Sequence, residues 1–251
     1  MIKKFQHRLI GSLTLFLFLW VSMAVMTYTC TCQAGQEYDL IAFMNECQKM
    51  SGDPGLIAIV QWIPDEWWQI TLERAEVPPS RIKEVLALFD PYLTFIVIHG
   101  KVSSNGVPLF TDESVIRQHL RLKDMAGGLY RPINDEDISS GVRNAIIMIK
   151  PLFSNMLGRM GENMNFFFFS SHGQKGERIC QAGREGSFSI SLSGIPEAKD
   201  QIFAWTLPLN SLLPLKVCPK CGREAQGSWK YCPFCGLSLP SRPRKVEQKA
   251  P

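Results

Sequence analysis

The sequence predicts an α+β fold: a mixed or largely antiparallel sheet with several helices, followed by a small separate unit at the C-terminus. Three observations carry this expectation. Two short β-branched and aromatic runs, Leu56–Ile63 and Leu93–His99, are apolar almost throughout, as in strands covered on both faces. Later stretches alternate with period two, and helical patterns are mixed among them in no repeating βαβ order.

The N-terminus reads as an export segment. Lys3, Lys4 and Arg8 precede an apolar run from Leu9 to Met26, and no acidic residue occurs before Glu37. The run lies between the length of a cleaved signal and the roughly 20 residues of a spanning helix. Cys32 and Ala34 supply small residues at −3 and −1 for cleavage after Ala34, which makes residues 1–34 a signal peptide. The alternative is an uncleaved membrane anchor whose basic flank stays cytoplasmic. Tyr28 and Thr27 spoil a lipoprotein box before Cys30. The expected location is beyond the cytoplasmic membrane, in the cell envelope or periplasm.

Residues 35–214 form the predicted body. After the first central strand, Ser80 is placed to cap a helix whose Ile82, Val85, Leu86 and Phe89 recur on one face, with Pro91 ending it. Thr111 is placed to cap a shorter helix bearing Val115 and Ile116. The longest helical pattern runs from about Ser140 to Met160. It turns Ala145, Ile146, Ile149, Phe153, Met156 and Leu157 inward, with Pro151 inside it. Asn165–Phe169 reads as a strand, with its four phenylalanines as core. Phe188, Ile190 and Leu192 alternate with serines, and Phe203, Trp205 and Leu207 alternate in turn, as half-buried antiparallel strands do.

The most specific pattern is Cys218-Pro-Lys-Cys221-Gly222 with Cys232-Pro-Phe-Cys235-Gly236. Two Cys-x-x-Cys pairs, each followed by glycine, bend tightly enough to aim four thiolates at one ion. The predicted metal ligands are therefore Cys218, Cys221, Cys232 and Cys235. A shell closed by four protein ligands leaves no position for substrate, so such an ion is structural. The alternative is two disulfides or free thiols. These residues resemble the short zinc-ribbon module found at the ends of many bacterial proteins, with Tyr231 in the aromatic place before the third cysteine. The resemblance covers residues 218–236 and implies one structural zinc ion and a ribbon fold. It leaves open protein contact, nucleic-acid contact or simple capping. The ribbon is taken as residues 215–240 and the polar stretch 241–251 as a disordered basic tail.

Charge divides the chain. Residues 35–214 carry 16 Lys/Arg against 21 Asp/Glu, whereas residues 215–251 carry 8 against 2. A basic appendage on an acidic body suits contact with that body, an anionic membrane surface or an acidic partner. Export also sets up a tension with reduced thiols, which a bound metal resolves by protecting them. Cys47 and Cys180 could form a disulfide or remain buried thiols.

Other constellations point less firmly to chemistry. His99 ends a buried strand and His172 follows Ser170-Ser171, so either is a candidate base for an envelope hydrolase, but no nucleophile-elbow spacing accompanies them. No catalytic residue is assigned. Pro64-Asp65-Glu66-Trp67-Trp68 offers acids beside indoles, a platform for sugars or cations, against the simpler reading of a first helical turn with core tryptophans. The glycines between His172 and Phe188 match no phosphate-loop spacing, and the stretch reads as a polar connection between strands. No dinucleotide fingerprint occurs, and no cofactor other than zinc is expected. The leading function is an exported, non-enzymatic protein whose zinc ribbon steadies the C-terminus and meets a protein partner. Hydrolysis through His172 or His99 is one alternative, and nucleic-acid binding through the ribbon and tail is another, which export argues against.

Overall fold

A computed structural model describes residues 39–240. The predicted export segment 1–34 and the tail 241–251 lie outside the described residues, as do the side chains of Ile149, Phe153 and Met156. Among the described residues, no helix is long and apolar enough to cross a membrane. All strand pairings are antiparallel.

The chain opens with α1 (Leu40–Cys47), started by Asp39, whose Oδ1 accepts from the amides of Ile41 and Ala42 at 3.0 Å. Strands β1 (Gln48–Met50), β2 (Leu56–Ile63) and β3 (Tyr92–Val102) then pair in order. Between β2 and β3 lie α2 (Asp65–Arg74) and α3 (Pro79–Phe89). The far edge of β3 is shared by β4 (Pro108–Phe110) at its end and β7 (Asn165–Ser170) at its start. A second sheet follows the order β6 (Leu129–Tyr130), β5 (Leu120–Lys123), β8 (Gly186–Leu192) and β9 (Gln201–Leu207). Helix α4 (Glu113–His119) leads into β5, and α5 (Ser140–Leu157) with the short α6 (Arg159–Glu162) leads into β7.

The two sheets meet through aromatic rings. Phe188 stacks on Trp205 at 4.9 Å and meets Trp62 edge-on at 4.8 Å, while Phe95 lies 6.0 Å from Phe188 and 6.1 Å from Trp205. This explains the two kinds of apolar pattern. Strand β3 is covered by the second sheet on one face and helix α3 lies against it, so Leu93–His99 is buried throughout. Strands β8 and β9 present one face inward, so Phe188, Ile190, Leu192, Phe203, Trp205 and Leu207 are buried in alternation. Of the phenylalanine run, Phe167, Phe168 and Phe169 are buried and Phe166 packs against the core.

Three local expectations are corrected. Ser80 does not cap α3: the helix begins at Pro79 after Pro78, with proline's fixed φ setting the first turn and no side-chain cap. Thr111 does not cap α4, which starts after Asp112; its hydroxyl is held by His99 instead. Leu157 is exposed rather than inward, because α5 ends there and Gly158, at φ 54°, turns the chain away. Ala145 and Ile146 do pack against the core.

Candidate metal centre

The ribbon is built from one turn used twice. The amide of Gly222 donates to the Cys218 carbonyl at 2.9 Å, and that of Gly236 to the Cys232 carbonyl at 2.9 Å. The amide of Cys218 donates to the Arg223 carbonyl at 2.9 Å, and that of Cys232 to the Leu237 carbonyl at 2.8 Å. Gly222 and Gly236 stand at φ 69° and 72°, in the left-handed region that favours glycine, which explains the glycine after each pair. The first turn is closed by β10 (Lys216–Val217) against β11 (Glu224–Ala225), and the second by Tyr231 bridging to Ser238.

These turns gather the four predicted cysteines. Their Sγ atoms all lie within 4.8 Å of one another, with Cys218 to Cys235 at 3.6 Å and Cys221 to Cys232 at 3.7 Å. A tetrahedral thiolate shell with metal–sulfur bonds of about 2.3 Å has edges of about 3.8 Å, so donor set and spacing fit one metal ion. The separations are far too long for a disulfide. Amides also face the sulfurs. Hydrogen bonds from the amides of Cys221 and Lys220 bring the Cys218 thiol down to about 6. The Leu237 amide acts in the same sense on Cys235, but burial and the neighbouring thiols outweigh it and push that thiol up to about 11.

The ribbon has little else to hold it. Its buried apolar cluster consists of Cys218, Cys232, Ala225 and Leu239, with Cys235 packed against them. So few apolar side chains fall well short of the core an independent fold requires, a constraint that an ion held by the four thiols would supply. The ribbon rests on the body through the segment after β9: Ser228 hydrogen-bonds Asn210, whose own amide is held by Glu46 of α1 at 3.1 Å. Lys216, largely buried, donates to the Trp229 carbonyl at 3.0 Å. The outer face is apolar and basic: Tyr231 and Phe234 are 65% and 56% exposed, and the Arg223 guanidinium sits 4.6 Å over the Phe234 ring.

The histidines are not brought together. Ser170 pairs with Tyr92 in the β3–β7 ladder, and His99 lies seven residues further along β3, about 23 Å away at a strand rise of about 3.3 Å. His99 is 3% exposed, with Nδ1 2.8 Å from Thr111 Oγ1 and with burial lowering its pKa. His172 is exposed, and its Nδ1 lies 2.9 Å from Ser171 Oγ. Both ring partners are hydroxyls, so neither histidine has the orienting carboxylate of a triad.

The acid-and-indole stretch divides. Trp67 and Trp68 are buried, Trp68 stacking on Phe89 at 4.6 Å, so they form core and no platform. Asp65 and Glu66 instead occupy the first turn of α2 at the edge of a cavity whose other walls, Trp62, Arg178 and Cys180, sequence reasoning did not connect to them. Cys47 and Cys180 are both buried free thiols, raised in pKa chiefly by burial. Comparison of the chain with protein-family models, with curated proteins and with solved structures finds no match.

Proposed function

We propose that the chain is an exported, non-enzymatic protein whose C-terminal ribbon binds one structural zinc ion and offers a contact surface to an acidic protein partner. The observation that carries this reading is the ribbon itself: four thiols at tetrahedral spacing in a unit whose remaining buried apolar residues are Ala225 and Leu239. Zinc is favoured over other ions by a donor set of sulfur alone in a closed shell. Export rests on the charge layout of residues 1–34. The partner's acidity follows from the exposed Lys220, Arg223 and Lys230 around Tyr231 and Phe234.

The deciding experiment measures zinc content and free thiols on protein recovered from the envelope, with the mature N-terminus read by mass spectrometry on the same sample. One zinc per chain, four unoxidised ribbon cysteines and an N-terminus at Gly35 support the reading. Oxidised pairs without zinc, or recovery from the cytosol alone, overturn it.

A further inference from the structure

We propose that the cavity at the start of α2 binds a small organic cation, an ammonium group carried on an apolar body. The cavity, ≈ 170 Å³, has Trp62, Ile63 and Leu93 as apolar walls, with Asp65, Glu66 and Arg178 supplying its charge. It exists because three parts of the chain converge. Strand β2 stops at Ile63 and Pro64 turns it into α2. Strand β3 begins beside it, and the segment after β7 folds back, with the Ser171 amide on the Pro91 carbonyl at 2.9 Å and the Ile179 amide on the Ser171 carbonyl at 3.0 Å.

Charge decides the kind of ligand. The cationic side chain in the wall is Arg178, whose Nη1 is 3.0 Å from Asp65 and whose Nη2 pairs with Asp90, so its charge is already shared between two carboxylates. Glu66 accepts from the amides of Ala182 and Gly183. Burial and then the like charge of Asp65 hold its carboxyl above the ordinary carboxylate range. An ammonium group beside Glu66 supplies the countercharge, whereas an anion would face two carboxylates and a guanidinium already engaged. Ile63, Leu93 and Tyr92 along the wall suit a short alkyl body. The volume falls below the roughly 300–1,000 Å³ of sites for drug-sized ligands, which favours a small amine over a peptide or nucleotide.

The test titrates the full zinc-loaded chain with n-butylammonium, n-butanol and butyrate, following the Trp62 indole and the Gln69 and Gln181 side-chain amides by ¹H–¹⁵N NMR. The amine alone is expected to saturate these signals, with Kd on the order of 1 mM. Glu66→Gln keeps the side-chain shape and should weaken binding by about tenfold or more. An equal response to n-butanol, an unchanged affinity in Glu66→Gln, or shifts spread over unrelated surface carboxylates would overturn the proposal.

Discussion

Cys218 and Cys232 hold the same place in two copies of one turn: each carbonyl accepts from the glycine amide four residues on, and each amide donates to the carbonyl five residues on. The repetition makes the four thiols a single structural unit, since either turn alone presents two ligands. Replacing Cys221 with serine should therefore lower zinc from one per chain to none rather than to a fraction. Limited proteolysis of that variant is expected to cut within residues 215–240 while the body stays intact. Zinc retention, or an uncut ribbon in its absence, would mean the turns hold themselves.

The middle of the sandwich makes a contrasting prediction. Phe188 touches Trp62, Phe95 and Trp205, joining both sheets at one ring. Phe188→Ala should destabilise the body by about 3–5 kcal/mol, the usual cost of removing a buried phenylalanine. Zinc stoichiometry should not change, because the ribbon's cluster is separate from this core. Ile202→Ala, at a side chain 73% exposed on β9, serves as the control and should stay within about 0.5 kcal/mol in urea denaturation.

What could be read from the sequence follows from how local each signal is. The alternation in Phe188–Leu192 and the apolar run in Leu93–His99 report which faces are covered, and burial on one face or two is written into period and composition. The cysteine pairs carry their own turn chemistry within five residues. Two misreadings had local causes, Pro79 beside Ser80 and Gly158 beside Leu157, while others arose where a distant residue intervened. Thr111 looks like a helix cap until β4 brings it beside His99, twelve residues away. The cavity's acids were visible as Asp65 and Glu66, but Arg178 reaches Asp65 across 113 residues of sequence. Short elements such as β1 and β6, with three and two residues, contain too little pattern to be seen at all.

The seat of the ribbon on the body depends on close approach at Gly227. A side-chain carbon there would lie 2.4 Å from Leu213 Cβ and 2.7 Å from the Pro214 carbonyl oxygen, so glycine is required for the contact that lets Ser228 reach Asn210. Gly227→Val should push the ribbon off at a cost of about 1–3 kcal/mol, typical of overpacking. Zinc should remain bound. The expected observation is shortened rotational correlation of ribbon amides in ¹⁵N relaxation, with body amides unchanged. Uniform relaxation across both parts would show that the ribbon does not depend on this contact.

His99 gives the body a component of pH dependence with a definite sign. Burial holds its folded pKa below the ordinary value of about 6.5, so the neutral ring is the one the fold accommodates. Above about pH 6.5 both folded and unfolded chains carry a neutral ring, and His99 leaves stability unaffected. Below it the unfolded chain takes up a proton that the folded chain does not. Stability then falls by up to about 1.4 kcal/mol per pH unit until the folded pKa is reached, after which the loss is constant. His99→Gln keeps a polar group within reach of Thr111 Oγ1 and removes the titration. Urea denaturation of both proteins at pH 7.5 and pH 5 isolates the effect: the variant's stability relative to wild type should rise on acidification, and a pH-independent difference would mean that the imidazolium is tolerated in place.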